Sequence, residues 1–480
     1  MAMAISSFLR CILYIYSFFA FLCLYAHEVR ETTEIHHLHH THIVQLSSLM
    51  PSTTCSASTK GPNREASLTV KHKYGPCFQS NKDQLQVLNH TEILLQDQSR
   101  VNSIHSMFSK NSDGNKLGES QATTLPANSG LTIGTGNYIV TVGLGTPKTD
   151  QTLAFDTGSD LTWAQCEPCA KQCYNQKDPI FDPSKSTSYT NISCPTPLCS
   201  QLTSATGSPQ QCSDPKCSYR VRYGDGSFTI GYFSKERLTI TSDVVDNFIF
   251  GCGQDNEGLF EDIAGLLGLG RGQVSLVQQA AQKYSQFFSY CLPSTTSSTG
   301  YLTLGKGNEV SSSLKFTPML TLSQGPSFYG LNLIGISVGG QRLSIPTSVF
   351  STVGTIIDSG TVITRLPPTA YNALRTKFRD MMRNYQMTSA SSPFDTCYDL
   401  SKSQSVSIPS ISFFFDGDVS VDLDKVGILV MLSQTEACLA FAGNSNPSNI
   451  AIFGNEQQKG LEVVYDVVGG RIGFRPGGCS

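Results

Sequence analysis

The sequence predicts a mainly-β chain built as two related lobes, each supplying one aspartate to a shared cleft. Three observations carry that prediction. Phe155-Asp156-Thr157-Gly158-Ser159 returns 202 positions later as Ile357-Asp358-Ser359-Gly360-Thr361. Each is a carboxylate at the end of an apolar run, followed by a hydroxyl residue, a glycine and another hydroxyl residue. Such a run, ending in a glycine-containing turn, reads as a buried strand that delivers its last side chain to a tight loop. Second, beyond Gly136 the texture is short apolar runs separated by Gly, Pro, Ser, Asn and Asp, as in Tyr138-Ile-Val-Thr-Val-Gly-Leu and Leu461-Glu-Val-Val-Tyr-Asp. Third, both aspartates are followed by two apolar residues and a glycine, Leu266-Leu267-Gly268 at 112 positions and Ile452-Phe453-Gly454 at 96. The triplet means little alone; in the same order after both aspartates it argues for a duplicated lobe. The longer first half carries the Cys-rich stretch Cys166–Cys217, which has no counterpart in the second.

Taken in order, residues 1–26 hold one basic residue, Arg10, and then an apolar run from Cys11 to Ala26. That run falls short of the ~20 residues a membrane span needs and reads as a secretory signal peptide, with a signal anchor as the alternative. Residues 27–130 are polar and rich in Ser and His, and read as a propeptide with a linker. His36, His37, His39, His40 and His42 would bind a metal in principle, but a solvated, removable tail explains them as well. Ser67-Leu68-Thr69-Val70 predicts a strand, with the basic Lys71 and Lys73 after it. Leu85, Leu88, Ile93, Leu94, Val101, Ile104 and Phe108 fall at helical spacing between Asp83 and Lys110. Asn111 to Gly130 reads as the linker. The remaining chain divides into an N-terminal lobe with a Cys-rich insertion, 131–315, and a C-terminal lobe, 316–480. Helices are expected there only at Val274 to Tyr284 and Ala370 to Met382.

Composition excludes several chemistries. All nine histidines lie between His27 and His105, so nothing in 131–480 can use an imidazole. A Ser-His-Asp or Cys-His mechanism and a His-ligated zinc site are thereby excluded from the lobes. The formal net charge of −3 argues against nucleic acid as a partner. Cys55 and Cys77 lie in the N-terminal region, and twelve more cysteines follow: Cys166, Cys169, Cys173, Cys194, Cys199, Cys212, Cys217, Cys252, Cys291, Cys397, Cys438 and Cys479. An even set behind a secretory leader predicts a disulfide framework of undetermined connectivity. The cluster from Cys166 to Cys217 leaves a four-cysteine zinc site as an alternative; the reading adopted has no metal and no cofactor. Asn89 and Asn191 head glycosylation sequons.

With Trp163 seven residues after the first aspartate and Tyr223-Gly224-Asp225-Gly226-Ser227 further on, the chain resembles the pepsin-type aspartic endopeptidases over roughly 136–480. The Cys-rich insertion and the ending Val464-Tyr465-Asp466 through Cys479 resemble the plant nepenthesin-like and nucellin-like branch. The resemblance implies the bilobal pepsin-like acid protease fold, two β-barrel-like lobes with the active-site cleft between them. It implies that Asp156 and Asp358 are catalytic, that Ser159 and Thr361 donate hydrogen bonds to them, and that Thr157 and Ser359 tie the two loops together. Gly158 and Gly360 let the loop backbone approach each carboxylate. The stretch Tyr223 to Ser227 resembles the flap that closes over substrate, with Asp225 where pepsin has Thr, and Trp163 is expected to hydrogen-bond Tyr223. Lys71 or Lys73 is the expected basic partner of the two aspartates in the proform.

The expected function is peptide-bond hydrolysis at acidic pH, by a monomer acting on polypeptides and made as a secreted zymogen. No stable membrane association is expected once the signal is cleaved. The apoplast is the expected location, with the vacuole or plastid as alternatives. Two other functions compete: a catalytically inactive relative acting as an inhibitor or binding protein, and a plastid nucleoid DNA-binding protease. Residues 27–130 lack the arginine cluster that DNA binding requires.

Overall fold

A computed structural model describes residues 40–50, 52–58, 66–79, 90–110, 137–213, 215–258, 260–306, 313–389 and 392–479. Residues 1–26, expected above to be a signal peptide, residues 111–130, expected to be a linker, and Asn89 lie outside them. The described chain is mainly β and two-lobed.

In the first lobe, strand Thr149–Asp156 runs beside Gly265–Gly268 in parallel register, with Gly268 opposite Asp156. In the second, Thr355–Ile357 runs parallel to Ala451–Phe453, with Ile357 opposite Phe453. The repeated apolar triplets are therefore the partner strands of the two aspartate-bearing strands. Each aspartate strand is covered on both faces, and this explains its near-continuous apolar sequence. Leu153, Ala154, Phe155, Ile356 and Ile357 are all buried.

The two lobes share a central sheet. Phe287–Cys291 pairs with Leu461–Asp466, joining the first half to the end of the chain. Ser67–His72 enters the same sheet between Gly300–Leu304 and Tyr138–Leu144, so the strand expected there forms. A further N-terminal strand, Thr41–Gln45, which the sequence did not signal, pairs with Ser405–Pro409 at the edge of the second lobe.

The expected helix over 370–382 forms as Pro368–Met381, with Pro367 at the N-cap and Pro368 opening the first turn, where no intrahelical N–H is needed. The helix expected at 274–284 is two single turns, Leu276–Gln279 and Ala281–Tyr284, separated at Ala280. Within the Cys-rich insertion, Pro197–Thr206 forms a helix capped by Thr196 and closed by Gly207. Seven disulfides consume every described cysteine: Cys55–Cys77, Cys166–Cys252, Cys169–Cys173, Cys194–Cys212, Cys199–Cys217, Cys291–Cys479 and Cys397–Cys438. The zinc alternative is set aside, because the thiolates it needs are bonded to one another. Among the described residues no helix is long and apolar enough to cross a membrane.

Candidate active site

Each aspartate is delivered by its strand into a loop whose own backbone turns back on the carboxylate. Gly158 N donates to Asp156 Oδ1 at 2.9 Å, and Gly360 N donates to Asp358 Oδ1 at 3.1 Å. A Cβ on Gly158 would sit 2.8 Å from Asp358 Oδ1, so a larger residue would push the two loops apart. The loops are tied by crossed hydrogen bonds: Thr157 N donates to Ser359 Oγ at 3.1 Å, and Ser359 N donates to Thr157 Oγ1 at 2.9 Å. Both carboxylates are buried. The structure thus brings together all six loop residues that the sequence singled out around the two aspartates.

The two outer hydroxyls behave differently. Thr361 Oγ1 donates to Asp358 Oδ2 at 2.5 Å, as expected. The same donation from Ser159 to Asp156 is not made; Ser159 Oγ is buried without a hydrogen-bond partner. Both oxygens of Asp156 are instead engaged by a guanidinium that the sequence reading did not anticipate.

That group is Arg100, on the helix His90–Lys110 that fills the cleft. Its Nη2 donates to Asp156 Oδ1 at 2.8 Å and to Asp358 Oδ1 at 2.7 Å. Its Nη1 donates to Asp156 Oδ2 at 3.2 Å, and its Nε to Asp358 Oδ2 at 2.8 Å. A planar fork of N–H donors suits two carboxylates side by side in a way an ammonium does not. The expectation of Lys71 or Lys73 is therefore corrected. Lys71 is a ladder residue opposite Ile139 in the central sheet, and Lys73 follows that strand. Lys73 is buried, which lowers its pKa to about 8 against the pull of its acidic neighbours Asp262, Glu261 and Glu92.

The helix is held by apolar side chains on both sides of Arg100. Ile93 and Leu94 pack on Val362, Ile363 and Phe394 of the second lobe, and Val101 and Ile104 pack on Phe328, Ile356 and Ile452. Each such side chain contributes about 1.5–3 kcal/mol when fully buried. One turn before Arg100, Asp97 is also buried. It accepts hydrogen bonds from Val362 N at 2.6 Å and pairs with Arg365 Nη2 at 2.7 Å.

The electrostatics of the two aspartates are asymmetric. Burial raises Asp156, and the neighbouring Asp358 adds to this, against the opposing charge of Arg100. Burial also pushes Asp358 upward, but Arg100, Thr361 and the Gly360 N–H outweigh it and hold the carboxyl below its ordinary range. Two carboxylates that share one guanidinium oppose each other's ionisation, and Arg100 offsets that repulsion while it is bound.

The stretch Tyr223 to Ser227 is the turn of a hairpin between Lys216–Arg222 and Phe228–Ile240. Tyr223 N donates to Ser227 O at 2.9 Å, and Gly226 takes a φ of +92°. Asp225 closes the turn by accepting from Ser227 N at 3.0 Å and Ser227 Oγ at 2.8 Å. Trp163 Nε1 donates to the phenolic oxygen Oη of Tyr223 at 2.7 Å, and its ring meets Phe260 edge-on at 4.9 Å. Trp163 is thus both the expected partner of Tyr223 and a core residue. The hairpin lies against the cleft helix, since a Cβ on Gly224 would come 2.7 Å from Ser99 O. Asn191 lies on the short strand Thr190–Asn191 and is partly exposed.

Comparisons with known proteins agree with this architecture. The family models described as xylanase inhibitor N-terminal and xylanase inhibitor C-terminal match residues 138–306 and 328–476. An aspartyl protease family protein of Arabidopsis thaliana is 54% identical over 440 residues, covering 91% of this chain and 93% of that protein. Aspartic proteinase nepenthesin-2 of Nepenthes gracilis is 40% identical over 357 residues, covering 72% and 79%. Among solved structures, basic 7S globulin from soybean superposes with a TM-score of 0.57 at 21% identity, covering 71% of this chain and 91% of that one. That last likeness concerns the fold alone.

Proposed function

Because the chain belongs to the plant branch of the pepsin-like aspartyl protease family and is an aspartic-type endopeptidase, we propose that Asp156 and Asp358 are its catalytic pair and that the chain is made as a zymogen which its own N-terminal helix keeps inactive. The single observation that carries this reading is the Arg100 guanidinium bridging both carboxylates at 2.7 and 2.8 Å. A cation seated there fills the space that water and a peptide carbonyl must share.

With the helix withdrawn, the chemistry follows from the geometry. The pair shares one proton, an arrangement for which aspartic proteases are the type example. The ionised carboxylate takes a proton from water held between the two groups, and the protonated one donates to the scissile carbonyl oxygen. A tetrahedral gem-diol forms with no bond to the enzyme. Its collapse returns a proton to the leaving nitrogen and regenerates the pair. Thr157 and Ser359 hold the loops in register. Gly158, Gly360 and Thr361 supply fixed donors, and Ser159 becomes a donor to Asp156 once Arg100 leaves. The flap from Tyr223 to Ser227 closes over the substrate and excludes water, positioned by Trp163.

The substrates are polypeptides. We assign residues 1–26 to a signal peptide, 27–130 to the propeptide and linker, and the protease to 131–480 acting as a monomer in the apoplast. The seven disulfides support an oxidising compartment. The competing reading, an inactive inhibitor or binding protein, is disfavoured by the intact pair and by a buried arginine set against it.

The test is to secrete the full chain, hold it at pH 7, and then acidify it to pH 3–4 with an unfolded protein substrate. The expected result is loss of the N-terminal segment together with the appearance of cleavage that pepstatin blocks. A correctly disulfide-bonded, processed protein that cleaves nothing would overturn the reading.

A further inference from the structure

The buried face of the cleft helix carries two charged side chains where it crosses the site, Asp97 and Arg100. Arg100 answers the two aspartates. Asp97 answers Arg365, which belongs to the second lobe, on strand Thr364–Leu366, a few residues after Asp358. Arg365 is 2% exposed and Asp97 is fully buried. Among the described residues Arg365 has one ion-pair partner, Asp97, at 2.7 Å. Its Nε is buried with no hydrogen-bond partner at all. A guanidinium offers Nε and Nη2 as a side-on pair of donors to one carboxylate, and Asp97 uses only one of them.

Withdrawal of the helix takes away the carboxylate that Arg365 pairs with in the described structure and leaves its Nε and Nη2 donors open to another carboxylate or to water. Resting on the endopeptidase reading above, we propose that Arg365 is a specificity-determining residue. In the processed enzyme it receives the carboxylate of an Asp or Glu side chain of the substrate, in the place that Asp97 holds in the proform. The backbone N–H groups of Val362 and Ile363, which face Asp97 at 2.6 and 3.5 Å, complete an anion-binding corner.

The position of that subsite follows from helix geometry. Asp97 precedes Arg100 by three residues, a rise of ~4.5 Å along an α-helix. An extended substrate advances ~3.3 Å per residue. The acidic side chain therefore lies one or two residues from the cleaved bond, on the side of the cleft formed by the second lobe. Glu, being longer than Asp, has the reach to engage Nε as well as Nη2.

Binding and turnover are separated in the test. The Asp156→Asn protein, its N-terminal segment removed by an added protease, is titrated at about pH 5 with peptides that differ only by Asp or Glu against Asn or Gln, one or two residues to either side of the cleaved bond. One position is expected to show tenfold or greater preference for the acidic peptide. Adding Arg365→Gln should bring that ratio to near one, and adding Arg365→Lys should retain part of it, with unchanged thermal unfolding certifying both proteins. Equal binding of acidic and neutral peptides at every position, or a preference that survives Arg365→Gln, overturns the inference. Turnover of the same peptides by the processed protein with Asp156 intact reports separately on the endopeptidase reading, since absence of cleavage leaves the binding ratio measurable.

Discussion

Replacing Arg100 with Met keeps a long apolar stem in the cleft and removes the guanidinium. Four donor contacts to the two aspartates disappear, at 2.7, 2.8, 2.8 and 3.2 Å. Removing one partner of a buried, hydrogen-bonded charge pair costs about 3–5 kcal/mol, because the other charge is left buried and uncompensated. At ~1.4 kcal/mol per decade, that loss shifts the closed-to-open balance of the helix by roughly 10² to several times 10³. The apolar contacts of Ile93, Leu94, Val101 and Ile104 remain, so the helix still docks, but more weakly. Initial rates on a short quenched fluorescent peptide at pH 6, before any processing appears on a gel, should rise about 100-fold over the parent proform. Arg100→Lys keeps a charge without the fork and should fall between the two. The pH dependence has a defined sign. In the docked form Asp358 is held below its ordinary range despite burial, because Arg100 and Thr361 favour its ionised state. A depressed carboxyl contributes stability that is present above its undocked pKa and is lost as pH falls through the docked one. Asp156, raised by burial, works in the opposite sense, so loosening by acid is the Asp358 contribution, lies below the ordinary carboxylate range, and should be removed by Arg100→Met. A variant as latent and as acid-responsive as the parent would refute the reasoning.

Other predictions test the supporting parts. Thr157→Val leaves the Ser359 N–H buried without its acceptor, a loss of about 1–3 kcal/mol that should lower the melting temperature of the processed enzyme; an unchanged melting point would deny the tie between the loops. Tyr223→Phe strips Trp163 Nε1 of its acceptor and should lower kcat/KM about tenfold, equivalent to ~1.4 kcal/mol, with little change in fold by circular dichroism. His105 on the cleft helix donates from Nε2 to Ile450 O at 3.2 Å, and burial lowers its pKa to about 4 from 6.5. A depressed histidine favours docking fully above pH 6.5 and loses that contribution as pH falls toward 4. His105→Gln should accordingly make latency less pH-dependent across that window, measured as the rate of processing at half-unit steps.

The parts of the site legible in the sequence were those encoded locally. The two aspartate loops, their crossed hydroxyls and the hairpin at Tyr223 each lie within five consecutive residues, so type and spacing sufficed. The partner strands were legible because a duplicated lobe repeats its order, and the register at Gly268 and Phe453 bears this out. Arg100 was not, for a physical reason. A search for helical periodicity counts apolar residues, and Leu94 and Val101 are separated by two turns whose buried positions are Gln96, Asp97 and Arg100. Charged residues interrupting an apolar stripe are the signal that was present and unread. Ser159 illustrates the opposite difficulty: its residue type fits the motif, but its hydrogen bonding depends on whether a group from 56 residues earlier in the chain than Asp156 already occupies that aspartate. Disulfide pairing was closed for a related reason, since Cys291 and Cys479 meet across 188 positions through the central sheet.

The central claim is that Asp156 and Asp358, one from each lobe, act as a single proton-sharing catalytic pair. It is tested most directly by comparing kcat for the parent, Asp156→Asn and Asp358→Asn proteins, all three freed of the N-terminal segment by the same added protease, on one peptide across pH 2.5–7. The account predicts that each substitution lowers kcat by about 10³-fold or more, in keeping with the loss of a general acid or base, while the peptide still binds. Retention of kcat within tenfold by either variant would contradict it.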